Sequence, residues 1–109
     1  MDDPTTGPDS PAARTVHAFD EELAEMDAVA TAAAVASGAL SPLEVTDAAI
    51  RRAAAVDPAL HAVVVADDDR ARSAARSLGV RGGLAGVPTY IKDMVDVEGY
   101  PTSWGSPAI

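Results

Sequence analysis

Leu60-His61-Ala62-Val63-Val64-Val65-Ala66-Asp67-Asp68-Asp69 is the stretch on which the fold reading turns. Leu60 to Ala66 is a compact apolar run around three consecutive valines, the pattern of a strand buried on both faces, as in a parallel sheet. Asp67-Asp68-Asp69 follows and places carboxylates where a helix would begin, beside free backbone amides. Arg70–Leu78 reads as that helix, with Gly79 to close it. Val87–Lys92 is a second candidate strand, so strand, helix and strand make one βαβ unit. Two short parallel strands are not a stable sheet, and a doubly buried strand needs neighbours and helices on both sides. The expected fold class is α/β, with the 109 residues reading as the start of a larger domain.

Upstream of the run, Ser41-Pro42-Leu43-Glu44 is the clearest local signal. Ser41 can cap a helix, Pro42 suits its first position, and Glu44 can reach back to complete a capping box. This helix is expected to run to about Val56, because Asp57-Pro58 opposes continuation. Its face would be Val45, Ala49, Ala53 and Val56. An earlier helix is expected from Asp20 to Ser37, with Asp20, Glu21 and Glu22 in its first turn and Gly38 as a left-handed stop. Phe19, Leu23, Met26 and Ala30 would share one face. Residues 1–14, with Pro4, Gly7, Pro8 and Pro11 among Thr, Ser and Asp, read as a disordered lead-in; residues 15–109 are the domain piece.

Composition agrees with a soluble chain carrying a thin core. Hydrophobic residues are 48% of the total, but 24 residues are Ala and only four are aromatic. The absence of Cys excludes disulfides, thiolate zinc sites and a cysteine nucleophile. The net charge of −9 is concentrated at the amino end: residues 1–27 hold eight acidic side chains against Arg14 alone. No basic face exists to displace phosphate counterions, so nucleic-acid binding by a basic patch is not expected. No apolar stretch reaches the ~18 residues of a membrane span, and Met1-Asp2-Asp3-Pro4 lacks a signal-peptide pattern. The expected location is the cytoplasm, with no membrane partner.

The chemistry is expected in Gly82-Gly83-Leu84-Ala85-Gly86-Val87-Pro88-Thr89-Tyr90-Ile91-Lys92-Asp93. Lys92 is the sole lysine of the chain. It stands at the carboxyl end of the second candidate strand, where open α/β sheets place their ligand crevices. Taken alone, a lysine at a strand end is more often a solvated charge than a catalyst.

Gly86-Val87-Pro88, Lys92-Asp93, Asp96-Val97, Gly99, Pro101-Thr102 and Gly105-Ser106 closely resemble the first motif block of the amidase signature family. Ser37-Gly38-Ala39-Leu40-Ser41-Pro42-Leu43-Glu44-Val45-Thr46 and Asp57-Pro58-Ala59-Leu60-His61-Ala62-Val63 resemble that family's early segments. The resemblance spans roughly residues 29–106, in order. It implies a three-layer mixed-sheet fold, of which this chain would hold the amino-terminal helices and first βαβ unit. It also implies hydrolysis of a carboxamide C–N bond by a Ser–cis-Ser–Lys triad. Lys92 matches the lysine that relays protons, through the bridging serine, to and from the nucleophile. The chemistry requires such a base, because serine is a poor nucleophile without one. A lysine serves only where burial and neighbours bring its pKa from about 10.4 towards about 7–8.

In the family the two serines lie downstream, in and beyond a Gly/Ser-rich stretch that has no counterpart here. Ser103 and Ser106 belong to the first block, and family precedent gives them no nucleophilic role. The chain alone is therefore expected to be inactive. No metal or organic cofactor is implied. The expected partner is a small-molecule amide substrate in the full-length protein, and an oligomer is compatible with the reading. The alternative is a non-enzymatic remnant or protein-interaction module, with the acidic first helix and exposed strand edges as its contacts.

Other features have plainer readings. Asp67-Asp68-Asp69 fits capping better than a magnesium or calcium cluster. His17 and His61 stand alone, without a second ligand at metal spacing. Asp93 is read as an anchor for backbone rather than as the direct partner of Lys92. Gly82, Gly83 and Gly86 lack the phosphate-binding spacing. Trp104 is equally a core residue or a pocket wall.

Overall fold

The computed structural model describes residues 22–79 and 82–108. The lead-in expected over 1–14, and with it His17, Phe19, Asp20 and Glu21, lie outside the described residues. The elements in order are a 3₁₀ turn at Glu22–Glu25, then α1 (Ala28–Ser37), α2 (Pro42–Leu60) and α3 (Asp68–Ser77).

The helix expected from Asp20 to Ser37 is not continuous over the described residues. The 3₁₀ turn ends at Glu25 and α1 begins only at Ala28. Asp27 makes the break: its backbone is extended, and its carboxylate accepts the Ala30 amide at 2.8 Å, while the Thr31 hydroxyl donates back to its carbonyl. A short carboxylate competes in this way with the helical backbone and favours a cap over an interior position. The buried face of α1 is Thr31, Ala32 and Val35 instead of the Leu23–Met26–Ala30 line. Gly38 ends the helix as expected, at φ +80, with its amide on the Val35 carbonyl.

The capping box of α2 forms as the sequence requires. The Glu44 amide donates to Ser41 Oγ at 3.1 Å, and the Ser41 amide donates to Glu44 Oε2 at 3.3 Å. Val45, Thr46 and Ala48 are its buried residues. The carboxyl end departs from the expected Val56: the helix runs through Pro58 to Leu60. Asp57 carries the chain past the proline. Its carbonyl accepts the amide of His61, which sits left-handed at φ 51, and its Oδ1 accepts the amides of Ala62 at 2.7 Å and Val63 at 3.0 Å. Replacing Asp57 by alanine strips two partners from the end of α2, for a loss of roughly 1–2 kcal/mol. Faster amide exchange at Ala62 and Val63 and a weaker helical circular dichroism signal report it, and Asp57→Asn should retain most of both.

The two strands and the βαβ unit expected from Leu60–Ala66 and Val87–Lys92 do not form among the described residues, which are helical and irregular. Leu60 is spent in α2, and the Asp57 carboxylate takes backbone amides of the residues that would start the first strand. Val64 is 63% exposed, Tyr90 64% and Ile91 57%. The reason is physical: a strand buried on both faces needs paired neighbours for its amides and carbonyls, and this segment meets none.

The apolar core among the described residues is Ala32, Val35, Val45 and Ala48. α2 packs against α3, and the Arg72 Nε–Asp47 Oδ1 bond at 2.8 Å joins them. That bond, with the nearby acidic charges of α3, holds the Arg72 guanidinium above its ordinary range. α3 is capped by Asp67, whose carboxylate accepts the Arg70 amide at 3.2 Å. Asp68 and Asp69 occupy the first turn, beside the exposed amides that favour negative charge. Among the described residues no helix is long and apolar enough to cross a membrane.

Candidate active site

The segment from Gly82 to Ala108 is built from turns. The Ala85 amide closes on the Gly82 carbonyl and the Val87 amide on that of Leu84. Gly86, at φ +88, brings the segment against the buried side chain of Val35 in α1. Lys92 follows, exposed, with its carbonyl accepting the amides of Met94 at 2.7 Å and Val95 at 3.1 Å. Lys92 therefore stands at the first position of a tight turn rather than at the end of a strand.

Asp93 is the centre of the loop. Its Oδ1 accepts the Ser103 amide at 2.9 Å; its Oδ2 accepts the Ser103 hydroxyl at 2.6 Å and the Gly105 amide at 3.3 Å. Trp104, at φ 55, and Gly105, at φ 72, are both left-handed, and the amides on either side of Trp104, those of Ser103 and Gly105, both reach the Asp93 carboxylate. The Ser103 hydroxyl and amide, then the Gly105 and Trp104 amides, hold the Asp93 carboxyl below its ordinary range. The expectation that Asp93 anchors backbone agrees with this geometry.

A second set of bonds ties the loop to α3. The Arg70 guanidinium donates from both terminal nitrogens to the Glu98 carbonyl at 3.2 Å and lies 4.5 Å from the centroid of the Tyr100 ring. The Tyr100 hydroxyl donates to Asp67 Oδ2 at 3.2 Å, so one carboxylate caps the helix and holds the loop. Thr102 donates to Asp96 at 2.8 Å. Sequence reasoning misses Arg70 and Tyr100, because their pairing spans 28 to 33 residues and follows no helical or strand period.

Both nearby serines are held in loop structure. Ser103 Oγ donates to Asp93, its carbonyl accepts the Ser106 amide, and Ser106 Oγ accepts the Ala108 amide. Trp104 is 57% exposed, which places it outside the core.

A sequence profile of the family described as Amidase matches residues 44–109. A Mycobacterium tuberculosis protein named as an amidase, AmiC, is 50% identical over 95 residues, covering 85% of this chain and 20% of that one. A glutamyl-tRNA(Gln) amidotransferase component of Acidothermus cellulolyticus is 44% identical over 92 residues, 78% of this chain and 18% of its own length. The indoleacetamide hydrolase of Bradyrhizobium diazoefficiens is 44% identical over 91 residues, 77% of this chain and 17% of its own. The chain thus spans about one fifth of the length of the curated relatives it matches. No solved structure matches it. The profile match takes in the capping-box glutamate, the Lys92–Asp93 turn and the latched loop, and on that match the chain belongs to the amidase family.

Proposed function

We propose that this chain is the amino-terminal part of an amide hydrolase in which Lys92 is the proton-relay base of a Ser–cis-Ser–Lys triad. The observation that carries the reading is Lys92 at the head of a turn whose next residue anchors the whole loop, inside the family match. In the reaction the nucleophilic serine gives its proton, through the bridging serine, to the neutral lysine amine and attacks the carboxamide carbon. The lysine then returns the proton to the departing nitrogen, and water releases the acyl group by the same relay. The substrate class is a small carboxamide, in keeping with relatives whose names carry amidase and indoleacetamide hydrolase activities. The proposed compartment is the cytoplasm.

A lysine accepts a proton only as the neutral amine, a form that burial favours. Lys92 is exposed in this chain. Apolar cover for it, strand neighbours for 62–66 and 87–92, and the two serines are assigned to the further length that the relatives have. In that setting the two segments complete the α/β sheet, and the chain by itself is inactive. A fluorophosphonate probe, which traps activated serines, should leave the 109-residue chain unlabelled. Stoichiometric labelling at Ser103 or Ser106 overturns the assignment of the nucleophile to another part of the domain.

A further inference from the structure

We propose that Asp93 is the positioning residue for Lys92: by clamping Ser103 to Gly105 it fixes the turn from which the lysine projects. The proposal rests on the role assigned to Lys92 above. Lys92 is restrained from its own carbonyl, which accepts two amides, and from its neighbour, whose carboxylate closes a loop of about a dozen residues. The clamp uses both oxygens of Asp93, so its rotation is fixed as well as its position. Trp104 makes the case from the other side. A bulky residue at positive φ is strained and persists only where its surroundings over-determine it. The Asp93 carboxylate supplies that determination, gathering the amides that the left-handed pair presents.

The direction of the acid response follows. A carboxyl held below its ordinary range contributes stability that is complete above the unfolded-state value, about 3.9. That contribution is lost as pH falls through the lower folded-state value. The Asp93 clamp is therefore at full strength through the neutral range and weakens on the acid side.

Because Lys92 is the sole lysine, ¹³C-lysine labelling of the intact 109-residue chain reads its conformation from one set of resonances. With ¹⁵N labelling, the Ser103, Trp104 and Gly105 amides and the Lys92 signals should move in a single transition on the acid side. Asp93→Asn should abolish the transition, and Asp93→Ala should bring Lys92 to random-coil shifts. Ser103→Ala, which spares the backbone donors, should move the midpoint upward. Lys92 shifts that stay native in Asp93→Ala while the Ser103 and Gly105 amides lose protection overturn the proposal. So does a wild-type chain without the shared transition, or a Ser103→Ala midpoint that does not rise. These readouts need no turnover, so they stand or fall separately from the catalytic role. In the enzyme completed by the remainder of the domain, Asp93→Asn should lower kcat about 100-fold with KM unchanged, the scale of a roughly 1 Å misplacement. An unchanged kcat there, where Lys92→Ala is inactive, overturns the positioning role and leaves the triad assignment intact. Activity persisting in Lys92→Ala removes the triad assignment and, with it, the role given to Asp93.

Discussion

Replacing Lys92 by alanine should lower amide hydrolysis by about 10³–10⁴-fold in the enzyme completed by the remainder of the amidase domain, the upper part of the range for a positioned general base. The effect should fall on kcat, because in the proposed role the lysine moves protons and does not grip the ground-state amide. Lys92→Arg is the sharper variant. It keeps the charge and most of the length of the side chain, yet a guanidinium cannot be deprotonated in a protein and so cannot accept the serine proton. Both variants should therefore be inactive, which separates a proton relay from simple charge stabilisation; an electrostatic role would leave Lys92→Arg substantially active. Small primary amines added to Lys92→Ala should restore part of the rate, more so as pH rises and the neutral amine accumulates. Release of the amine product from a small aryl carboxamide, followed from about pH 6 to about pH 10, measures all three. Wild-type-like kcat in Lys92→Arg would dismiss Lys92 as the relay base.

What the sequence discloses depends on how local the cause is. Ser41, Pro42 and Glu44 lie within one turn, and the capping box forms as their spacing requires. Gly38 stops α1 and Asp67 caps α3 for reasons contained in a few residues. Asp57-Pro58 misleads because a proline inside a helix removes one bond to the preceding turn without forbidding the next few residues, and Asp57 gathers the amides of His61, Ala62 and Val63 at the helix end. The valine run misleads for the opposite reason. Its pattern describes a strand that has neighbours, and periodicity carries no information on whether those neighbours are present. Lys92 stands out by composition and by the motif around it. Its supports do not, because Asp93 meets Ser103 ten residues on and Gly105 twelve on, on either side of a left-handed Trp104, a conformation the residue type argues against.

Gly86→Ala should be strongly destabilising, for two additive reasons. Gly86 sits at φ +88, where an L-residue costs about 1–2 kcal/mol. A Cβ there would also lie 2.8 Å from Val35 Cγ1 and 3.4 Å from Cγ2. Val35 cannot step aside: it is 4% exposed, and a β-branched side chain in a helix has one favoured rotamer. Overpacking of this kind adds about 1–3 kcal/mol, for a total near 2–5 kcal/mol. Gly82 provides the control, because it has nearly the same backbone, φ +82, but open space where its Cβ would go. Gly82→Ala should show the backbone part alone, about 1–2 kcal/mol. The double variant Val35→Ala/Gly86→Ala makes room for the new methyl and should be less destabilised than the sum of its single changes, a coupling expected only of residues in contact. Urea midpoints of the helical circular dichroism signal distinguish the three. A midpoint for Gly86→Ala no lower than that for Gly82→Ala, together with additive behaviour of the double variant, would mean that Val35 does not hold the loop. The bonds of Arg70, Tyr100 and Asp67 would then carry the attachment of the Lys92 segment to α3.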